Sequence, residues 1–320
     1  MTAVTPDQID AAARAIAPHV RRTPIIEVPG DTLGIDATLV FKLEYLQVTG
    51  AFKARGAVHY VATQPVSAAG VVAASGGNHG AAVAYAAHRF GHEAHIFVPT
   101  TANPAKVERL VSLEANVHSI GHTYGDAADA AQEYLAEHDA TSIAAFDDPV
   151  VMAGAGTVAR EFEADAGELD AMLLAVGGGG LAGGAAAWCG DRIPIVGCET
   201  VGTASYAAAV EAGEPVTVPV SGVAADHLGA RRVGQTPWEA LQHAHAESVV
   251  VTDDEVLDAQ ARLWRLLRVV VEPGVAAPFA ALYTGRWKPR PGGRVGVVLC
   301  GANVVVPGLG RAEPVSAGDA

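Results

Sequence analysis

The chain has 320 residues, half of them hydrophobic and 18% charged, enough for two domains of ordinary size with a large core. Its formal net charge of −14 excludes binding to nucleic acid or to an anionic membrane, both of which need a basic face. Three cysteines (Cys189, Cys198, Cys300) without paired spacing imply neither a disulfide framework nor a CxxC metal site.

β-Branched runs alternate with Ala-rich periodic runs, the pattern of an α/β protein. Thr5 and Pro6 are an N-cap and a first helical residue, and that helix ends near Pro18. Arg22-Thr23-Pro24 breaks into an extended segment. A strand from Thr38 to Leu43 runs into a Gly-containing turn, and a helix starts near Ala51 with Lys53 in its first turn. A cation is disfavoured at that end of a helix. Held beside Phe52, such a lysine has a lowered pKa and becomes nucleophilic, as a Schiff-base lysine requires; the competing reading is a surface lysine with a snorkelling stem.

Repeated strand–helix units follow. Gly70 to Ala74 is a strand, and Ser75-Gly76-Gly77-Asn78-His79-Gly80 is a loop opening a helix that reaches Phe90. Strands at Ala94–Val98, Asn116–Ile120 and Ser142–Phe146 alternate with helices at Pro104–Leu113 and Tyr124–Glu137. Residues 70–147 therefore read as a small unit on a parallel sheet, set into a larger unit of residues 1–69 and 148–320. In that larger unit a helix covers Val150–Glu163, and the strand Ala171–Val176 ends in Gly177-Gly178-Gly179-Gly180. A helix then runs to Cys189 and a strand from Ile193 to Cys198, before Glu199. Pro215–Val220 is extended, and Asp253–Leu267 is an amphipathic helix with Val256, Leu263, Leu266 and Leu267 on one face. Val295–Leu299 is a strand followed by Cys300-Gly301-Ala302-Asn303, and the tail frays after Pro307.

Three stretches can carry chemistry. Gly177 to Gly180, between a buried strand and a helix, offer backbone amides as a phosphate cradle; a plain tight turn is the alternative. Gly177, Gly179 and Ala182 also fit G-x-G-x-x-A with Glu199 at dinucleotide spacing, so a nicotinamide-dependent oxidoreductase stays open, although it leaves Lys53 and the Ser75 loop without a task. The Ser75 loop could hold a carboxylate through its amides and hydroxyl while Asn78 offers an amide to a ring oxygen; a capped loop competes. His79 is a base or a packing residue. Cys300 stands at a strand C-terminus, where ligands of α/β sheets bind. The other histidines lack partners at metal-ligand spacing, and there is no G-x-S-x-G elbow.

Together these stretches resemble the fold-type II pyridoxal-phosphate enzymes, and most closely the serine/threonine dehydratases (threonine ammonia-lyases). The resemblance covers nearly the whole chain. It is carried by Thr49-Gly-Ala-Phe-Lys53-Ala-Arg-Gly-Ala57, Ser75-Gly-Gly-Asn-His-Gly80, Gly177 to Gly180 with Leu181, Glu272-Pro-Gly274 and Leu299-Cys-Gly-Ala-Asn303, whose order and spacing match the family's. It implies a tryptophan-synthase-β-like fold of two α/β domains, each a mostly parallel sheet flanked by helices. Residues 1–69 and 148–320 would be the large cofactor-binding domain and residues 70–147 the small substrate-side domain.

The resemblance also implies roles. Lys53 would be tied covalently to pyridoxal 5′-phosphate and act as the base. Phe52 would pack beside the cofactor, Asn78 would contact the ring O3′, Gly177, Gly178, Gly179 and Gly180 would cradle the phosphate, and Cys300 would face the pyridine nitrogen. Ser75, Gly76, Gly77 and His79 would hold the substrate carboxylate. The implied reaction is β-elimination of L-threonine or L-serine to a 2-oxo acid and ammonia by a homodimer; with no signal peptide, no apolar run long enough to span a bilayer and no metal-ligand spacing, the expectation is a cytoplasmic enzyme without a metal. A 3-hydroxyaspartate dehydratase and a serine racemase are the alternatives within the family. Against the family's pattern, Ala51 replaces a common Ser, and Gly76 stands where racemases place a serine. Near Glu199, Thr203 and Ser205 take the place of a cation-site carboxylate, and His227 replaces a small residue.

Overall fold

The computed structural model describes residues 4–304, so the expected fraying after Pro307 lies outside the described residues. The first helix, α1 (Pro6–Ile16), opens on a Thr5/Gln8 capping box with Pro6 in its first turn. The chain then forms β1 (Ile25–Pro29), a short 3-10 turn, and β2 (Ala37–Lys42), which pairs antiparallel with β1. Past the lysine stretch, α2 (Lys53–Thr63) begins at Lys53 itself.

The small sheet follows. It comprises β3 (Val71–Ala74), α3 (Asn78–Arg89), β4 (Ala94–Val98), α4 (Pro104–Ser112), β5 (Asn116–Ser119), α5 (Tyr124–His138) and β6 (Thr141–Ser142). Its strands are all parallel, in the order β5-β4-β3-β6. The strand expected over Ser142–Phe146 is a correction: pairing covers only Thr141 and Ser142. Ala145 and Phe146 leave the ladder because their groups are used elsewhere, as the site shows.

The chain returns through α6 (Pro149–Ala166), β7 (Ala171–Ala175), α7 (Gly180–Cys189), β8 (Ile195–Thr200), α8 (Ser205–Ala212), α9 (Ala225–Leu228) and α10 (Gln235–His243). It ends with β9 (Glu247–Val251), α11 (Asp253–Leu267), α12 (Pro273–Tyr283) and β10 (Gly293–Val298). Pro215–Val220 forms no strand; Val218 is tied to the Arg231 carbonyl at 2.8 Å instead. The large sheet has the order β1-β2-β10-β7-β8-β9 and is parallel except for β1. Its buried strands read as continuous apolar runs because helices cover both faces. A second core joins α2 and α3 to the small sheet, with Val58, Val83 and Ile96 inside it.

This topology sets the site. β2, β10 and β7 are parallel neighbours, so their C-terminal ends lie side by side. From those ends emerge the lysine stretch, the Cys300 turn and the four glycines. Ligands of α/β sheets bind at such carboxyl ends.

Candidate active site

The lysine stretch is pinned to the Cys300 turn beyond the parallel β2–β10 ladder, mainly by an isolated antiparallel bridge between Ala51 and Gly301. Tyr45 N donates to Leu299 O at 2.8 Å, Phe52 N to Cys300 O at 3.0 Å and Ala302 N to Gly50 O at 3.0 Å. Gly50 has φ +63°, which a side chain would strain, and a Cβ there would fall against the Asn303 amide. Lys53 thus starts α2 directly beside Cys300. Its Nζ donates to the Ala145 carbonyl from beyond β6 and lies 5.2 Å and 5.8 Å from the Phe52 and Phe146 ring centroids. Burial lowers the amine's pKa to about 8, while the Cys300 thiolate form would raise it. The surface-lysine reading is therefore set aside. Cys300 is buried, and burial together with Glu272 pushes its thiol well above the usual range, so it is a neutral thiol.

Behind Lys53, the helix start rests on a buried ion network. Arg55 Nε donates to Glu44 at 2.6 Å and Arg55 Nη2 to Glu161 at 3.1 Å, while Lys42 Nζ donates to Glu161 at 2.7 Å. Sequence reasoning missed this network; its signal was Arg55 flanked by the small residues Ala54, Gly56 and Ala57, a spacing that marks a closely packed helix face.

Gly177 to Gly180 bridge β7 and α7 without a side-chain cap on the helix. Gly179 has φ +90°, so a side chain there would be strained as well as crowded against Pro237 and Val233. A Cβ on Gly178 would lie 2.2 to 2.4 Å from three atoms of the Phe146 ring, and one on Gly180 would lie 3.0 Å from the Phe146 Cβ. The chain is bare here because Phe146 packs on it, and the amides that begin α7 point outward at the positive end of the helix.

Asn78 opens α3 at the C-terminal end of β3. Its Nδ2 donates to both oxygens of Glu272, at 2.9 and 3.0 Å, and its Oδ1 accepts from Asn303 Nδ2. Asn303 N adds 2.8 Å to Glu272, and Asn303 Nδ2 also reaches the Thr49 carbonyl at 3.0 Å. Glu272 and Asn303, quoted as motif residues without a task, therefore fix Asn78. Ser75 Oγ accepts from Gly77 N at 3.3 Å. The His79 ring is committed to the backbone: Nε2 donates to the Ile143 carbonyl at 2.9 Å, and burial with the nearby Lys53 charge lowers its pKa to about 3. A neutral ring committed to a carbonyl is a packing residue, so only its backbone remains for the carboxylate role.

The nicotinamide reading fails on Glu199. The spacing needs its carboxylate free for a ribose, but both oxygens accept amides at the start of α8, from Tyr206 and Ala207 at 2.8 Å each. Burial raises its pKa to about 7 despite those bonds.

A family model described as pyridoxal-phosphate dependent enzyme matches residues 16–301. The chain belongs to that family. It is 33% identical over 303 residues to the L-threonine ammonia-lyase of Geobacter sulfurreducens, covering 93% of this chain and 75% of the relative. It is 33% identical to a serine dehydratase-like protein of Mus musculus, covering 91% of each. Among solved structures, the threonine deaminase of T.th. superposes with a TM-score of 0.88 at 30% identity, over 94% of this chain and 99% of that one. Maize serine racemase superposes with a TM-score of 0.89 at 29% identity, over 95% of each. The fold is that of the fold-type II enzymes, and the family's cofactor is pyridoxal phosphate.

The residues present fit that cofactor. The glycine cradle offers bare amides where a Cβ on Gly178 or Gly179 would collide, a desolvated amine stands beside an aromatic wall, and a fixed carboxamide and a neutral thiol complete the set.

Proposed function

We propose that the protein is a pyridoxal-phosphate-dependent ammonia-lyase that eliminates water from L-threonine or L-serine, releasing a 2-oxo acid and ammonia. The observation that carries it is Lys53, desolvated to a pKa of about 8 and standing beside Cys300 and the Phe52 and Phe146 rings, the latter of which packs on the glycine loop. In this reading Lys53 holds the cofactor, the amides of Gly177 to Gly180 hold its phosphate, Asn78 meets its O3′, Phe52 packs beside it and Cys300 faces the ring nitrogen. Once loaded, the cofactor supplies an electron sink for the charge left at Cα. Lys53 then takes the Cα proton as general base, which its lowered pKa suits near neutrality. The Ser75 hydroxyl and the amides of Gly76, Gly77 and His79 orient the substrate carboxylate. The Cys300 thiol carries no negative charge to fix a proton on the ring, which favours prompt loss of the β-group.

Gly76 supports elimination over racemisation: without a side chain it offers no acid or base to the opposite face of Cα. We further propose that residues 70–147 move as the small substrate-side domain against residues 1–69 and 148–320, and that the protein is a cytoplasmic homodimer. Among the described residues no helix is long and apolar enough to cross a membrane. The test is direct. Purified protein loaded with pyridoxal phosphate should show a visible band that borohydride abolishes and should form 2-oxo acid from L-threonine or L-serine. A colourless protein, or a coloured one that instead interconverts the enantiomers of serine, refutes the assignment. Sedimentation velocity tests the dimer.

A further inference from the structure

We infer that the cleft carries a second anion subsite, built from Arg109, Lys106 and His227, which selects β-hydroxy amino acids bearing a distal carboxylate; this rests on the elimination reading above. Lys106 and Arg109 lie one turn apart on α4, on the same side of the helix. Arg109 reaches across from the small sheet and donates through Nη2 to the Thr49 carbonyl, four residues before Lys53. Its guanidinium is desolvated, which pulls its pKa down against the charge of Glu272.

Among the described residues Arg109 has no carboxylate within ion-pair reach. The two fully buried cations of the described chain are both paired with carboxylates: Lys42 with Glu161 and Asp165, Arg55 with Glu44 and Glu161. Glu272, the acid that acts on Arg109, spends its oxygens on Asn78 and Asn303. A desolvated guanidinium with one of its five N–H donors used is a fork awaiting a planar anion.

The opposite wall comes from α9. Asp226 pairs with Lys106 at 3.3 Å, which holds α9 against α4. Leu228 packs its backbone against Gly177 and its side chain against Gly274, so α9 also borders the glycine cradle. His227 lies between these two contacts. Its Nδ1 is buried and has no hydrogen-bond partner. Burial lowers its pKa and Lys106 adds to that, while Glu272 and Asp226 oppose it. Buried ring nitrogens are normally satisfied, and an orphan beside a cofactor cradle is a ligand contact. The hydroxyl or methyl of a serine or threonine side chain leaves both the guanidinium and the imidazole unmet. A distal carboxylate meets both.

The test uses holoenzyme with 3-hydroxyaspartate diastereomers, L-serine and L-threonine, reading 2-oxo acid. Alongside it, calorimetry compares L-aspartate with L-alanine, which lack a leaving group. One 3-hydroxyaspartate diastereomer should exceed L-serine in kcat/KM by at least about 10-fold, and L-aspartate should bind at least about 10-fold tighter than L-alanine. Arg109→Gln should cut both ratios by about 10- to 100-fold, and His227→Gly should lower them in the same direction by less. Equal binding of L-aspartate and L-alanine by the wild-type protein overturns the subsite even if Arg109→Gln fails to fold. Turnover of serine with no preference for the dicarboxylate overturns it while leaving the elimination reading intact. If no substrate yields 2-oxo acid, elimination fails and the binding comparison alone decides the subsite.

Discussion

Arg55 is two residues past Lys53, and its replacement by leucine tests whether the buried ions beneath α2 hold the site. The guanidinium donates to Glu44 at 2.6 and 2.9 Å and to Glu161 at 3.1 Å from two nitrogens. Without it Glu161 keeps Lys42 at 2.7 Å, but Glu44, fully buried, keeps only the Thr23 hydroxyl at 2.7 Å and the Gln47 amide at 3.3 Å. Stranding a buried charge costs about 3–5 kcal/mol. A folded chain of about 300 residues has an unfolding entropy near 0.6 kcal/mol per kelvin, so Tm should fall by about 5–8 °C. Calorimetry of the cofactor-free protein at neutral pH reads this directly. Burial pushes the Glu161 carboxyl up, but Arg55 and Lys42 outweigh it and leave it below the ordinary value. A depressed carboxylate stabilises the fold above its unfolded pKa and loses that contribution as pH falls through the folded one. The variant lacks part of it, so the two melting curves should converge in acid. Replacing Arg55 and Glu44 together by leucine should recover much of the loss, because an apolar pair strands no charge on Glu44. A Tm within about 1 °C of wild type, or a double variant no better than the single, refutes the reasoning.

Three further outcomes follow from the same geometry. Cofactor-free protein should take up pyridoxal phosphate faster as pH rises through about 8, where the Lys53 amine becomes neutral, and Lys53→Ala should give no borohydride-sensitive band; a rise only near the ordinary lysine value would contradict the burial of Lys53. Gly178→Ala drives a methyl against the Phe146 ring at 2.2 to 2.4 Å, so the ring or the glycine loop must move; equilibrium loading should weaken by at least about 10-fold, with secondary structure by circular dichroism unchanged. Cys300→Asp supplies a negative charge where the structure has a neutral thiol, and elimination should slow by at least about 10-fold in single-turnover assays, whereas unchanged kinetics would remove Cys300 from the ring nitrogen.

What the sequence carried was local. The four glycines, the Ser75 loop and the lysine stretch each follow a strand whose apolar run is visible, so their strand-end positions were legible from pattern alone. Elements without a period were not. α12 is buried nearly all round and carries Pro278 in its interior, so no apolar face marks it as a helix. α10 has Pro237 in its first turn and β9 is a five-residue edge strand. The ends of β6 were misjudged because Ala145 and Phe146 look like strand residues but serve Lys53 and Gly178. Through-space partners were out of reach as well. Arg55 finds Glu161 across 106 positions and Asn78 finds Glu272 across 194, distances over which no spacing rule operates. His79 shows the converse: its place in the loop was legible, while its ring direction was set by a carbonyl 64 residues away.

These long-range partners tie the two walls of the site to each other. Asn303 bonds the Thr49 carbonyl and the Asn78 amide, and Glu272 bonds both Asn78 and Asn303. A closed ring of hydrogen bonds therefore joins the lysine stretch, the end of β10, the cap of α12 and the start of α3. Two more contacts cross the same gap: Lys53 to the Ala145 carbonyl, and Phe146 over Gly178. A shift of the small sheet moves Asn78 and Phe146 at once, and so changes the ring-oxygen contact and the cover of the cradle in one step. The Lys53–Ala145 bond is made by the amine that, in the proposed reading, would hold the cofactor, so loading would exchange this tie between the two sheets for the tie to the cofactor.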